Sequence, residues 1–589
     1  MCRLPVDAPP SHGASLRLRT SSPALPRQIH PTAVLPHGKE ARMVHPSPVP
    51  PGPAAGRRHA SSRRPGRRRT FAALAASLTG LALSAALGAT PVQAAGNAPA
   101  TAPVVRIHEG LIRGVSGENG TSYLGIPYAK PPVGPLRWKP PAPPEGWRGV
   151  RDATKPGNPC MQSKVQTPWG DLAGPGTPSE DCLYLNVHVP AKRSLRPRPV
   201  MVWIHGGGFT IGSGAFYDGG VLAQRGDVIV VTLNYRLGAF GFLAHAGLSA
   251  ESPTGSSGNY GLLDQQAALR WVQRNIAAFG GNPRNVTIFG ESAGGGSVCQ
   301  NLISPLAKGL FHRAIAQSGC AFPAAPKQTA EAAGENFAAA VGCFDVACLR
   351  AKPAEQLLAA AGTPAFDRIT WGPSVDGHVV REQVMEAFRA GRLPRVPVIQ
   401  GTTRDEARLN VATAYDLAGR VLTAEEYPQA VRRAFPSTAD QILARYRLSD
   451  YGTPAEALAA IYTDAQFACP SYASTALLAR HTRAYAYEFS DPHAMDYLNL
   501  PVSFPLGAPH GSEIRYIFGG VTGTPAQQAL ADRMLTYWTR FAHTGVPNGK
   551  GSPVWKKFPL VQDLAPGAIK PTLTFAKDHK CDLWAQITG

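Results

Sequence analysis

The run Val286-Thr287-Ile288-Phe289-Gly290-Glu291-Ser292-Ala293-Gly294-Gly295-Gly296 joins a β-branched and aromatic stretch to a cluster of small residues. Val286–Phe289 predicts a short strand, and Ala293–Gly296 predicts the opening of a helix. Between them, Gly290-Glu291-Ser292-Ala293-Gly294 has the spacing of a nucleophile elbow. A serine hydroxyl is a weak nucleophile. It must stand on a sharp turn whose small neighbours let a base reach its oxygen. The competing reading, a glycine-rich turn with an incidental serine, does not account for the strand before it and the helix after it.

Upstream, Val200–Ile204 predicts a second strand, followed at once by His205-Gly206-Gly207-Gly208-Phe209. Such a glycine loop at a strand end can turn backbone N–H groups inward. The N–H groups of Gly207, Gly208 and Ala293 are therefore candidates to hold a developing oxyanion, each worth roughly 3–4 kcal/mol. The backbone does this work, not His205. Val228–Leu233, Arg313–Gln317 and Val396–Gln400 read as further strands. Leu262–Phe279 carries apolar residues at 269, 272, 276 and 279, a helical stripe ended by Gly280-Gly281-Asn282-Pro283. This alternation predicts an α/β fold: a central, mostly parallel sheet flanked by helices, with the chemistry at the strand ends. The Ala-rich segments 321–390 and 411–480 read as helical insertions over the active-site face.

In a fold of this kind the acid follows the nucleophile and the histidine follows the acid. Asp405 and Glu406 both lie just beyond Val396–Gln400, and spacing does not choose between them. The histidines beyond them are His481, His493, His510, His543 and His579. His510 is the best placed, in the turn-rich loop Gly507-Ala508-Pro509-His510-Gly511, whereas His481 and His543 fall in helical stretches.

The 589 residues are 44 % hydrophobic, enough for a large core, and the 61 Gly and 56 Pro exclude a coiled coil. Residues 1–94 contribute +11 of the formal charge of +20, and no basic-aromatic block follows, so nucleic acid is not an expected partner. The cluster Arg57–Arg69 runs into the uncharged stretch Phe71–Ala89 and then Val92-Gln93-Ala94, the shape of an export signal cut after Ala94 or one residue later. A retained anchor is the alternative, disfavoured by the weak hydrophobicity of this Ala-rich stretch. Arg68-Arg69-Thr70-Phe71 fits a twin-arginine signal, and a Sec signal fits the same segment. Residues 1–56, rich in Pro, Ser and His, read as a disordered leader or a mis-assigned start, with Met43 as an internal candidate. The expected product is a secreted protein in which residues 95–589 form one domain with no stable membrane anchor. The sequence sets no oligomeric state. Eight cysteines follow residue 94, an even number that suggests disulfides in an exported chain, with Cys343 and Cys348 near enough to close a short loop. There is no C-x-x-C and no helical histidine pair around a glutamate, so neither metal nor cofactor is expected.

With these motifs in hand, the chain resembles the type B carboxylesterases, the cholinesterase-like branch of the α/β-hydrolases. The resemblance spans residues 104–585 and includes Gly125-Ile126-Pro127-Tyr128-Ala129, Ser179-Glu180-Asp181-Cys182-Leu183-Tyr184-Leu185-Asn186, Asn234-Tyr235-Arg236, Gly258-Asn259-Tyr260-Gly261 and Tyr537-Trp538 with Phe541-Ala542. It implies Ser292 as nucleophile, Glu406 as triad acid, and His510, within His510-Gly511-Ser512-Glu513, as base. It also implies the pairs Cys160–Cys182, Cys343–Cys348 and Cys469–Cys581. Cys299 and Cys320 are left over and are expected to be buried free thiols. Where the family has Asp-Glu-Gly this chain has Asp405-Glu406-Ala407, and its Cys160–Cys182 loop, containing Trp169, is shorter than the choline-recognising loop, so choline specificity is not implied. The implied function is a serine hydrolase that cleaves small carboxylic esters through an acyl-enzyme. A lipase, polyesterase, amidase or carbamate hydrolase would use the same triad. A non-catalytic binding protein of this fold is the other alternative, and the presence of all three triad residues argues against it. Glu291 is expected to sit behind the nucleophile and tune it, or to serve as a structural hydrogen-bonding group. Phe209, Trp169 and Phe322 are candidate pocket walls, with core packing as the competing role.

Overall fold

The main sheet is built from strands whose two faces are both buried, which is why their sequences read as nearly continuous apolar runs. Along Arg198–Ile204, Val200, Val202 and Ile204 face one hydrophobic cluster while Met201 and Trp203 face another. The computed structural model describes residues 103–588 apart from 168–169, 321, 364 and 367–370. The leader (1–94), its export signal and Trp169 lie outside the described residues.

The sheet has eleven strands. Its centre is parallel: Ile229–Leu233 pairs with Arg198–Ile204, which pairs with Gly281–Glu291, then Arg313–Gln317, Val398–Thr403, Ala484–Phe489 and Val561–Ala565. Antiparallel strands finish both edges, Ala568–Thr572 on one side and Tyr184–Val189, Gly120–Pro127 and Val115–Gly117 on the other. This is the α/β-hydrolase architecture expected from the alternation of strands and helices. A separate three-stranded sheet is formed by Val104–Ile107, Gly110–Arg113 and Val150–Asp152.

Helix Tyr260–Asn275 covers one face through Leu262, Leu269, Trp271 and Val272, and a 3₁₀ turn, Ile276–Phe279, completes the predicted stripe. Helix Pro525–Thr544 covers the other through Leu530, Met534, Trp538 and Phe541, its start fixed by a Thr524–Gln527 capping box. Helices Lys327–Ala340, Val346–Ala351 and Ala354–Ala361 share a third cluster with Trp138 and Phe240. Among the described residues no helix is long and apolar enough to cross a membrane.

Four disulfides are present among the described residues: Cys160–Cys182, Cys343–Cys348, Cys469–Cys581 and Cys299–Cys320. The last corrects the expectation of two free thiols. Cys299, on helix Ala293–Ile303, faces Cys320 beyond the next strand with 5.3 Å between their Cα atoms, inside the range a disulfide spans.

Candidate active site

Strand Gly281–Glu291 ends one residue before Ser292, and helix Ala293–Ile303 begins one residue after it. To make that reversal Ser292 adopts φ 57°, ψ −124°, a region that costs a non-glycine residue about 1–3 kcal/mol. Its N–H donates to Gln317 O (2.9 Å) and its carbonyl accepts from Gly296 N–H (2.8 Å), so the turn is held from both sides. A Cβ at Gly294 would run into the Ile204 carbonyl oxygen, which is why the elbow ends in glycine. The Ser292 side chain is partly exposed and makes no hydrogen bond among the described residues.

The glycine loop packs against this turn. A Cβ on Gly206 would sit 3.0 Å from Ser292 Cβ. Gly207 and Gly208 both have positive φ, and neither their N–H groups nor that of Ala293 meets an acceptor among the described residues. Three backbone donors are thus unpaired among the described residues, two in the glycine loop and one at the elbow. His205 is buried, lies flat on Tyr235 with ring centroids 4.4 Å apart, and is pushed down to about 4 by burial, so it is neutral and structural.

Glu406 and His510 meet from two loops. His510 Nδ1 is 2.5 Å from Glu406 Oε2, while Glu406 Oε1 accepts from Ser318 Oγ (2.6 Å) and Thr403 N–H (2.8 Å). The loops are laced by backbone bonds, His510 N–H to Glu406 O (3.1 Å) and Asp405 N–H to Ala508 O (3.0 Å). The Asp405 side chain meets the same loop two residues earlier, accepting from Ala508 N–H (2.9 Å), and pairs with Arg408 (3.0 Å). Ala407, in place of glycine, has φ −92° and donates its N–H to Thr463 Oγ1 (3.0 Å), so no glycine is required there. Of the other histidines, His493 is exposed beside Asp496, His543 bonds Gly226 O, and His579 is buried between Asp464 and Glu488.

No hydrogen bond joins His510 to Ser292. Its Nε2 instead lies 3.1 Å from Glu291 Oε1, an ion-pair contact too bent for a hydrogen bond that leaves this buried oxygen without a donor. Burial alone would depress the His510 pKa, but the charges of Glu291 and then Glu406 overcome it and hold the imidazole up at about 10. Burial raises Glu291 to about 7, against the pull of His510 and with the help of Glu406. Glu513 is lifted to about 8 by burial, then by Glu291 and Glu406. Each proton taken up by Glu291 or Glu513 removes an anion that stabilises the imidazolium, so these groups titrate as a set.

Sequence reasoning did not single out Ser318, Gln317 or Phe467, and quoted Glu513 only within a motif. Gln317 donates to Glu513 (2.9 Å) and accepts from Trp538 Nε1 (3.0 Å), which gives the Tyr537-Trp538 block its place at the site. Phe467, in the π-helical turn Asp464–Ala468, lies 4.9 Å from the His510 ring and edge-on to Phe322 at 5.9 Å. The insertion 411–480 thus reaches the site through the Phe467 ring and through Thr463 at the acid loop. Phe209 is buried and packs on Phe242.

The sequence model described as "Carboxylesterase family" matches residues 101–584. The chain is 39 % identical over 496 residues to the fumonisin B1 esterase of Sphingopyxis macrogoltabida, spanning 80 % of this chain and 87 % of that protein. It is 37 % identical over 520 residues to a cocaine esterase of Oryctolagus cuniculus, spanning 82 % and 95 %, and 36 % identical over 496 residues to an acylcarnitine hydrolase of Mus musculus, spanning 78 % and 86 %. Together with the sheet order and the elbow, these matches show that the chain belongs to the carboxylesterase family of α/β-hydrolases.

Proposed function

We propose that this protein is an exported serine esterase that cleaves carboxylic esters through an acyl-enzyme, with Ser292, His510 and Glu406 as its triad. The observation that carries the reading is the Glu406–His510 contact of 2.5 Å beside a serine held at positive φ. In protein whose His510 is deprotonated, Ser292 Oγ attacks the ester carbonyl carbon as its proton passes to the unprotonated His510 Nε2. The negative oxygen is received by the N–H groups of Gly207, Gly208 and Ala293. Collapse breaks the ester C–O bond, and His510 returns the proton to the leaving alcohol. Water then attacks the acyl-serine by the same route and releases the acid. Glu406 holds Nδ1, fixing the tautomer and stabilising the imidazolium. For the first step His510 turns Nε2 from Glu291 to the next residue, Ser292, an adjustment of the kind that substrate binding often completes.

The relatives are named for quite different substrates, fumonisin B1, cocaine and acylcarnitine, which supports the reaction class and leaves the substrate open. Export is supported by four disulfides, bonds that persist in oxidising compartments. Residues 95–589 are proposed as the mature domain, because one compact unit, Pro99–Gly589, holds all three proposed triad residues. The test is hydrolysis of p-nitrophenyl esters from acetyl to palmitoyl, with Ser292→Ala as control. Short-chain activity that the variant lacks supports the esterase reading. A preference for palmitoyl moves it to a lipase, and a folded protein inert on every ester refutes it. N-terminal sequencing of the exported protein tests processing after Ala94.

A further inference from the structure

The Cys299–Cys320 disulfide closes on the candidate site itself. Both sulfurs are buried, the residues 0 % and 2 % exposed. Cys299 lies on the helix that Ser292 caps. Cys320 ends the tripeptide Ser318-Gly319-Cys320, where the chain leaves strand Arg313–Gln317. Each member of this tripeptide touches a different part of the site. Ser318, at φ 52°, donates its hydroxyl to Glu406 Oε1 (2.6 Å) and its N–H to Gly401 O (2.9 Å). Gly319 packs so closely on the Ser292 carbonyl that a Cβ would collide with it. Cys320 is bonded to the nucleophile's helix.

We propose that the Cys299–Cys320 disulfide is a positioning element for ester cleavage, fixing the Ser318–Cys320 tripeptide so that Ser292 and Glu406 keep a constant separation. The inference rests on the triad reading above. Beyond the Ser318 N–H, which still bonds Gly401 O on the neighbouring strand, the tripeptide has left the ladder, and Ser318 holds an unfavourable backbone conformation, so the geometry of its far end depends on what ties that end down. The disulfide is that tie, on a helix whose residues Ala293–Leu302 are all buried. The other three disulfides do not join the tripeptide to the elbow helix; Cys343–Cys348 closes a short loop beside the fully exposed Phe344.

The test compares the exported protein with a Cys299→Ala/Cys320→Ala variant and a Cys343→Ala/Cys348→Ala control. Two readouts are used: the pH dependence of kcat and KM on p-nitrophenyl acetate, and amide exchange at Ser318, Thr403 and Ala293. The proposal expects the Cys299/Cys320 variant to lose at least tenfold in kcat with KM changed less than threefold. Its acid limb should move to higher pH, because a Glu406 that loses the Ser318 hydroxyl draws more strongly on the imidazolium. Exchange at Ser318 and Thr403 should rise. The control should keep kcat, the limb and the exchange rates, even with a lower melting temperature. A Cys299/Cys320 variant that melts lower but keeps kcat, the limb and the exchange rates overturns the proposal, because the bond is then only structural. Should that variant not fold, Ser318→Ala with the disulfide intact must reproduce the kcat loss and the limb shift, and its failure to do so overturns the proposal. If the wild-type protein hydrolyses no ester, the triad reading fails, while amide exchange alone still decides whether the disulfide holds the tripeptide.

Discussion

Asp405→Ala is expected to slow ester hydrolysis without touching any atom of the proposed triad. The carboxylate holds the chain two residues before His510, through Ala508 N–H at 2.9 Å, and pairs with Arg408 at 3.0 Å. A hydrogen bond to a charged group contributes about 1.5–3 kcal/mol. Burial raises the Asp405 pKa, so desolvation offsets part of that gain and the lower end applies. Arg408 adds little to the loss, because it keeps Pro505 O (2.7 Å) and Glu456 (3.5 Å). The remaining figure of about 1.5 kcal/mol corresponds to about tenfold in kcat/KM if it is spent on placing His510. Asp405→Asn, whose amide oxygen can still accept from Ala508, should lose only about threefold, on the order of half that energy. Steady-state kinetics on p-nitrophenyl acetate, with urea unfolding of each variant, separates placement from stability. An Asp405→Ala protein with kcat/KM within twofold of wild type, and its whole deficit in unfolding free energy, would refute the clamp.

Ser292→Ala should abolish hydrolysis with the far-UV spectrum unchanged, and Ser292→Gly should unfold about 1 kcal/mol harder than Ser292→Ala, because glycine relieves the positive φ. Equal unfolding of the two would mean the elbow stores no strain. Glu291→Gln removes the anion 3.1 Å from His510 Nε2, so the acid limb of kcat/KM against pH should move to lower pH; an unmoved limb would mean that Glu291 is already protonated when the enzyme works. His579 is held up at about 10 by Asp464 and Glu488, which together overcome the opposing effect of burial. A folded pKa above the unfolded value of about 6.5 gives stability that is complete below pH 6.5 and is lost as pH rises toward 10. The melting temperature should therefore fall across that window in wild type, and His579→Gln, less stable throughout, should lack this component of the slope.

The central strands were legible because burial on both faces leaves unbroken apolar runs. Val200–Ile204 and Arg313–Gln317 appear within two residues of their observed limits. The strand read from Val396 begins at Val398, after a proline that cannot join the ladder through an N–H. Ala484–Phe489 was not read as a strand. Its Ala and Tyr residues follow an Ala-rich helix, and only its neighbours Val398–Thr403 and Val561–Ala565 make it one. Chain order limited the base to five histidines, but adjacency hid the acid. Asp405 and Glu406 reach different parts of the same loop, Ala508 N–H and the His510 ring, a distinction that exists only once that loop is in place. The Cys299–Cys320 bond was illegible for the same reason, since it depends on which face of a helix meets a strand end.

The glycine loop, Ser292, Ser318 and Glu406 all follow closely on the carboxyl ends of parallel strands, where the sheet itself sets their spacing. His510 does not. Its strand ends at Phe489, and the long connection that follows has only the 3₁₀ turn Asp496–Leu498 before the histidine. A histidine at the end of such a connection cannot inherit its position from the sheet, and here it is fixed by four hydrogen bonds to Asp405 and Glu406, two between backbones, one to the Asp405 carboxylate and one between the imidazole and the Glu406 carboxylate. The Asp-Glu pair therefore has two separable tasks. Glu406 orients the imidazole, and Asp405 ties the histidine loop to the sheet. A loop-borne histidine of this kind should be the most readily displaced member of the site, and substitutions at Asp405 should move it before any change at the strand ends disturbs Ser292.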